Sequence, residues 1–315
     1  MISHVFLTGY LLALMLVLST STSAKDMTMH SFHTPQQVKV SKLPDGEGGT
    51  AISTEEPFLS RDGRFLFFNT GHKEGNKDMH YAKWIGRHWV YQDVIGPDIN
   101  TPKEVQGNPT MDSDRHFYFI DTSVSHMVQQ GRFMPSTGQL EQLREFTGLP
   151  DRDVRLFAQR FTGNMGVELS PDGRVLYFSR ATWDLNLWFP GDILASNILM
   201  SEWHGDRFVY DEKKAKRMMQ NINSDELEYA AGISKNGLEL FFTRLSRESF
   251  HRGRPQSMIM RATRPNRNAP FGKPKEVQAI GHNGFVEGPS LSADERELYY
   301  HKHDGNKFRL FKVVR

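Results

Sequence analysis

The chain has 315 residues, 38% hydrophobic and 24% charged, enough apolar material for a sizeable core in one large domain or two small ones. Its 39 basic and 37 acidic side chains nearly cancel, so no basic excess supports binding to nucleic-acid phosphates. There is no cysteine, which removes a lipoprotein anchor, disulfides, thiolate metal sites and cysteine nucleophiles together.

Residues 1–24 differ in kind from the rest. An apolar run from Val5 to Leu18 is followed by small and polar residues, with Thr22 and Ala24 at the small positions of a secretory cleavage site. The segment reads as a signal peptide cleaved before Lys25, a retained anchor being the alternative, and residues 25–315 as a single domain. A periplasmic or secreted location follows, with no membrane span in the mature chain.

Five related segments then recur along the chain: EPFLSRDGRFLFFNT (56–70), NPTMDSDRHFYFIDT (108–122), GVELSPDGRVLYFSR (166–180), AAGISKNGLELFFTR (230–244) and GPSLSADERELYYHK (288–302). Their anchors are Ser60, Asp112, Ser170, Ser234 and Ser292, at intervals of 52, 58, 64 and 58 residues. A period that regular signals a repeat architecture. Each copy runs from a short apolar stretch through a tight Asp-Gly-type turn into an alternating aromatic and aliphatic strand. The turns at Asp114-Arg115 and Asp294-Glu295 lack the glycine. Third strands are expected at 79–84, 257–262 and 308–313, and fourth strands at 88–94 and 207–213. The pattern predicts an all-β fold, a five-bladed β-propeller of four-stranded antiparallel blades. The last repeat stops after its third strand, and residues 35–43 resemble 273–280, the segment before the final repeat. An N-terminal strand is therefore expected to complete the last blade and close the ring, which leaves no open sheet edge.

LSPDGRVLYFS and its cousins resemble the TolB-like, WD-repeat-like β-propeller repeats of exported bacterial proteins, and IGPDINTPKEVQGNPTMDSD (95–114) is similar to the segment joining such repeats. The resemblance covers residues 35–315. It implies a propeller in the bacterial envelope. Members include protein-binding envelope components, and related propellers include sugar-processing enzymes and peptidase-associated domains.

In a propeller the first strand of each blade lines a central channel, and ligands bind at its mouth. Residues placed at the ends of the first two strands are Glu55, Glu56, Asn108, Asn164, Glu168, Glu228, Tyr229 and Glu287 on one side. Thr70, His72, Asp121, Arg180, Arg244, His301, Lys302 and His303 stand on the other. The candidate ligand-binding set is Glu56, Asn108, Glu168, Arg180, Glu228, Arg244, Glu287, His301 and His303. Carboxylates facing Arg, Lys and His suit a polyhydroxylated or zwitterionic ligand. The structural alternative is that the glutamates and arginines tie neighbouring blades together. His301 and His303 share a strand face without an evident third ligand, so no metal site is expected, and no cofactor is called for. Trp183, Trp188 and Phe189 form an aromatic insertion, 246–255 a basic loop, and 29–33 a solvated terminus. Phosphate-cradling, dinucleotide, HExxH and GxSxG motifs are absent. The reading is an exported binding module for an envelope protein, peptide or glycan, without nucleic acid. Its rival is a carbohydrate-active enzyme, a glycoside hydrolase or polysaccharide lyase, using the channel carboxylates with Arg or His.

Overall fold

The anchor of each repeat builds the hairpin turn that follows it. The Ser60 hydroxyl accepts the Phe65 amide at 2.9 Å and donates to Asp62 at 2.6 Å. Ser170, Ser234 and Ser292 repeat this with Val175 and Asp172, Glu239 and Asn236, and Glu297 and Asp294. Asp112 substitutes a carboxylate, which accepts the amides of Asp114 and His116. The fourth residue of each turn is left-handed. Gly63, Gly173 and Gly237 occupy that conformation freely, whereas Arg115 and Glu295 adopt φ of 70° and 60° with a side chain attached.

The computed structural model describes residues 31–45, 51–71, 77–96, 99–102, 104–186, 189–282 and 284–315, with the backbone alone at 186 and 189–191. It begins with two short strands, β1 (Gln36–Gln37) and β2 (Val40–Ser41). The first repeat forms the antiparallel meander β3 (Glu55–Leu59), β4 (Phe65–Gly71), β5 (Lys77–Trp84) and β6 (Trp89–Val94). The second forms β7 (Gln106–Met111), β8 (His116–Asp121), β9 (Val128–Met134) and β10 (Gln139–Glu145). The third has β11 (Asp153–Arg155), β12 (Arg160–Leu169), β13 (Val175–Asn186), β14 (Phe189–Trp203) and β15 (Phe208–Val209). The fourth has β16 (Leu227–Ile233), β17 (Glu239–Leu245), β18 (Ser257–Thr263) and β19 (Lys275–Glu276). The fifth has β20 (Val286–Leu291), β21 (Glu297–His303) and β22 (Phe308–Val314), onto which β1 pairs antiparallel, Gln36 opposite Lys312. A single parallel bridge, Ser196 to Leu227, merges the third and fourth meanders into one sheet. The first strands adjoin in cyclic order: β3 meets β7, β7 meets β12, β12 meets β16, β16 meets β20, and β20 meets β3.

Each of these inner strands carries one residue more than the strand it pairs with, in the intervals 55–58, 107–110, 164–166, 229–232 and 287–290. Glu56, Asn108, Ala230 and Gly288 turn left-handed there, four residues before their anchors. Pro57, Pro109 and Pro289 follow three of them, and a proline brings no N–H to leave unpaired at a bulge.

The bulge amides are taken up by the neighbouring meander. Asn69 Oδ1 accepts Asn108 N–H at 3.3 Å, Ser179 Oγ accepts Ala230 N–H at 3.1 Å, and Thr243 Oγ1 accepts Gly288 N–H at 3.1 Å. His301 Nδ1 accepts Glu56 N–H at 3.0 Å, joining the fifth meander to the first. All four acceptors stand nine residues after an anchor. Asp121 holds that place in the second repeat, but it turns to its own meander through Ser123 N–H and Gln129. Between the second and third meanders Asn108 Oδ1 instead accepts Val167 N–H at 2.5 Å. Where β16 meets β20 the approach is so close that a Cβ on Gly232 would stand 2.3 Å from the Pro289 carbonyl oxygen.

The apolar core lies between adjacent sheets. Phe65, Phe67, Tyr81, Phe117 and Phe133 fill the space between the first and second meanders, with Phe67 and Phe133 edge-to-face at 4.9 Å. Leu59, Leu66 and Phe68 pack on Tyr299 and Leu310 between the first and fifth, capped by Val38, Val40 and Leu43.

Four expectations need correction. Residues 207–213 do not form a full strand: after Phe208–Val209, Asp211 accepts the Lys214 amide and starts helix α1 (Glu212–Met218), with Glu212 in its first turn and Lys216 and Arg217 in its last. The loop 246–255 contains a second helix, α2 (Arg247–His251), capped by Ser246. Phe32 is not solvated, since its ring meets Phe241 edge-on at 6.0 Å and lies under Arg315. The segment 35–43 also divides: Gln36–Gln37 joins β22, whereas Val40–Ser41 pairs parallel with β6. Residues 1–30, His72 and Trp188 lie outside the described residues.

Relieving the left-handed Arg115 should stabilise the fold. Arg115→Gly is expected to gain about 0.5–1 kcal/mol and raise the thermal midpoint by about 2 °C. A calorimetric scan in which the variant melts below the parent would contradict that reading of the turn.

Candidate functional site

The inner strands have two ends, and the turn end is closed. Arg61 reaches from the first turn to Glu168 Oε1 at 2.9 Å and donates to the carbonyls of Leu169 and Met111 at 2.6 and 3.0 Å. Glu168 also accepts the Thr110 hydroxyl at 2.8 Å and the Ile233 amide at 3.3 Å. One guanidinium and one carboxylate thus draw four meanders together, and among the described residues a cavity of about 70 Å³ lies beside Arg61, Ser113, Pro171, Lys235 and Ala293.

The opposite end is polar and partly open. Lys77 bridges Glu55 and Glu56 at 2.9 and 3.1 Å. Burial opposes its charge, but the Glu56 and Glu55 carboxylates outweigh burial and hold the ammonium well above its ordinary pKa. Glu56 Oε2 accepts the Asn108 amide at 2.8 Å. His301 receives the Glu56 N–H on Nδ1, so its own proton sits on Nε2 and is donated to Glu287 at 3.1 Å. The other oxygen of Glu287 accepts the Tyr229 hydroxyl. Burial, then Glu287, then the more distant Glu56 push the Tyr229 phenol well above its usual range. One histidine thus joins the backbone of Glu56 to the carboxylate of Glu287 on the neighbouring inner strand, and both carboxylates lie within electrostatic reach of one phenol. Their side chains are 22% and 14% exposed, against 3% for His301, so both acids keep a partial opening to solvent while the imidazole has almost none.

The candidate residues separate accordingly. Glu56, Asn108, Glu287 and His301 come together at the open end. Glu168 belongs to the closed end. Glu228 is fully buried, bound to Ser224 and to Arg244 Nε at 2.7 Å, and Arg244 also donates to the Ile222 carbonyl. Arg180 makes the equivalent tie with Asn164 Oδ1 and the carbonyls of Pro150 and Asp151. Both arginines fasten an inner strand to the segment before it. His303 accepts the Gly305 amide and packs on Phe308. Lys77 and Tyr229 complete the cluster although neither is in the candidate set. Lys77 follows a variable loop and carries no repeat signal. Tyr229 shares the place of Glu55, Gly107 and Glu287, five residues before the anchor, a signal the aligned copies do hold. Among the described residues no group of three His, Cys, Asp or Glu side chains is arranged to hold a metal.

No family model matches the chain, and no curated protein matches it in sequence. Among solved structures it is similar to an α-L-arabinofuranosidase from Podospora anserina in complex with cellotriose (10% identity, TM-score 0.50, 89% of this chain and 96% of that one). The catalytic domain of a GH62 α-L-arabinofuranosidase from Coprinopsis cinerea aligns at 12% identity and TM-score 0.50, over 90% of this chain and 96% of that one. TolB from Acinetobacter baumannii aligns at 11% identity and TM-score 0.45, over 85% of this chain and 55% of that one. The first two likenesses establish the class of fold: all-β, with β-propellers as its neighbours. No helix among the described residues is long and apolar enough to cross a membrane.

If Arg244 is a structural tie, removing it strands the buried Glu228 carboxylate. Arg244→Ala should cost about 3–5 kcal/mol and lower the thermal midpoint by about 6–15 °C. A variant that melts like the parent would show that Glu228 does not depend on it.

Proposed function

We propose that the protein is an exported five-bladed β-propeller, closed by its N-terminal strand, that binds a saccharide at the open end and cleaves a glycosidic bond with Glu56 and Glu287. The cyclic adjacency of the inner strands and the pairing of β1 with β22 support the blade count and the closure. Residues 1–24 supply the export signal, and the TolB-like repeat pattern fits an envelope setting.

The observation that carries the hydrolytic reading is the pair of partly exposed carboxylates, Glu56 and Glu287, on adjoining inner strands, the backbone of the first linked through His301 to the carboxylate of the second. Glycoside hydrolysis requires two carboxyl groups flanking the scissile bond, one moving a proton and the other acting as base or nucleophile. The two arabinofuranosidases to which the chain is similar share this fold at TM-scores of 0.50. Tyr229 holds its proton and so orients Glu287 as a hydrogen-bond donor, and Lys77 supplies a cation that can meet hydroxyl or carboxylate groups of the sugar. The blocked turn end leaves the open end as the route to the inner strands. The reading as a binding module keeps the same ligand at the same place without turnover, since Glu56 and Glu287 are both already engaged by donors.

A panel of aryl glycosides and plant polysaccharides, assayed by product release, separates the two. The account expects hydrolysis by the parent and a loss of about 10²- to 10⁴-fold in Glu287→Gln and in Glu56→Gln. Saccharide binding without any turnover in the parent would leave the binding module as the function. Turnover that survives both substitutions would place the chemistry elsewhere.

A further inference from the structure

A second concave site lies away from the inner strands, between the turns of the second and third meanders. It is a cavity of about 550 Å³, the size of a sugar unit or two, against which the Trp203 ring lies 43% exposed. Its floor is firm. Ser113 ties the second turn to the Pro171 carbonyl through its amide and hydroxyl, at 3.1 and 2.9 Å. Gly173, at φ 68°, lets the third turn come so near that a Cβ would stand 2.8 Å from Asp112 Oδ2. Trp203 itself is steadied edge-on by Phe208 at 5.4 Å, which leaves the outer part of the indole uncovered.

The polar groups around that ring fall into two kinds. Asp112 is spent on His116 at 2.7 Å, and Asp172 on Ser170 and Arg267. By contrast, Arg144, Arg174 and the Asp114 carboxylate have no hydrogen bond or ion pair from their side chains among the described residues, and all three border the cavity. An exposed aromatic platform takes the apolar face of a pyranose ring. Two unengaged guanidiniums ask for an anion, and planar guanidinium matches carboxylate in a bidentate fork. One free carboxylate accepts hydroxyls.

We propose that this cleft binds an acidic pyranose, a hexuronate unit stacked on Trp203 with its carboxylate between Arg144 and Arg174 and a hydroxyl on Asp114. The site is separate from the inner mouth and stands whether or not the protein hydrolyses glycosides.

Titration calorimetry of the full protein with sodium digalacturonate, and with its methyl ester as the uncharged twin, tests this. Saturable binding of the acid is expected, about 10-fold or more tighter than the ester. Arg144→Gln and Arg174→Gln should each weaken the acid by about 10- to 100-fold, the scale of a lost hydrogen bond to a charged group. Both side chains are exposed, so the thermal midpoint should not move. Trp203→Ala should weaken acid and ester alike. No saturable binding, equal affinity for acid and ester, or an affinity indifferent to both arginine substitutions would overturn the proposal.

Discussion

The extra residue on each inner strand is the constraint from which the rest of the structure follows. A bulge takes a backbone amide out of its own sheet's ladder, and a buried amide without a partner costs about 1–3 kcal/mol. At four of the five bulges the partner is supplied from the adjoining meander by one side chain at a fixed distance after the anchor: Asn69, Ser179, Thr243 or His301. At these four junctions the inner strand draws on its neighbour for a hydrogen bond, so each sheet is favoured beside the next. The left-handed Glu56, Asn108 and Ala230 each cost roughly 1–2 kcal/mol, and the cross-sheet hydrogen bonds are what hold them there.

That constraint also makes the candidate site. At the junction between the last and first meanders the acceptor is an imidazole, where the others use a hydroxyl or an amide. Because His301 gives Nδ1 to the bulge amide, its remaining proton points to Glu287. The residue whose amide it holds is Glu56, whose carboxylate turns to Lys77 and Asn108. The two acids are thus positioned by the same bond that joins the sheets. Any change at His301 would disturb assembly and site together, whereas Lys77 reaches Glu55 and Glu56 within its own meander and Tyr229 reaches Glu287 from the fourth.

Much of this was legible in the five aligned segments. The anchors, the turns and the aromatic second strands were readable because each rests on local chemistry within a dozen residues. A polar residue interrupts every aromatic strand (Asn69, Asp121, Ser179, Thr243, His301), but only the structure pairs four of them, all but Asp121, with the bulge of the next repeat. The sites of Arg61 and Glu168 were not readable at all, since their bond spans 107 residues and lies across the inner strands. Helix α1 was missed because Phe208 and Val209 begin as a strand, and the capping Asp211 was read as its continuation. Arg180 and Arg244 stand at the same distance after their anchors, Ser170 and Ser234, and they act alike, but as fasteners of the inner strands and not as ligand-binding groups.

The central claim is that the junction between the fifth and first meanders is held as firmly as the others. Native-state hydrogen exchange at the amides of Glu56, Asn108, Ala230 and Gly288 reads this directly, because each reports one junction. The account predicts that all four are protected to a similar degree and open only with the fold as a whole. A Glu56 amide that exchanges freely while Asn108, Ala230 and Gly288 stay protected would show the sheets standing open at that junction, and would contradict it.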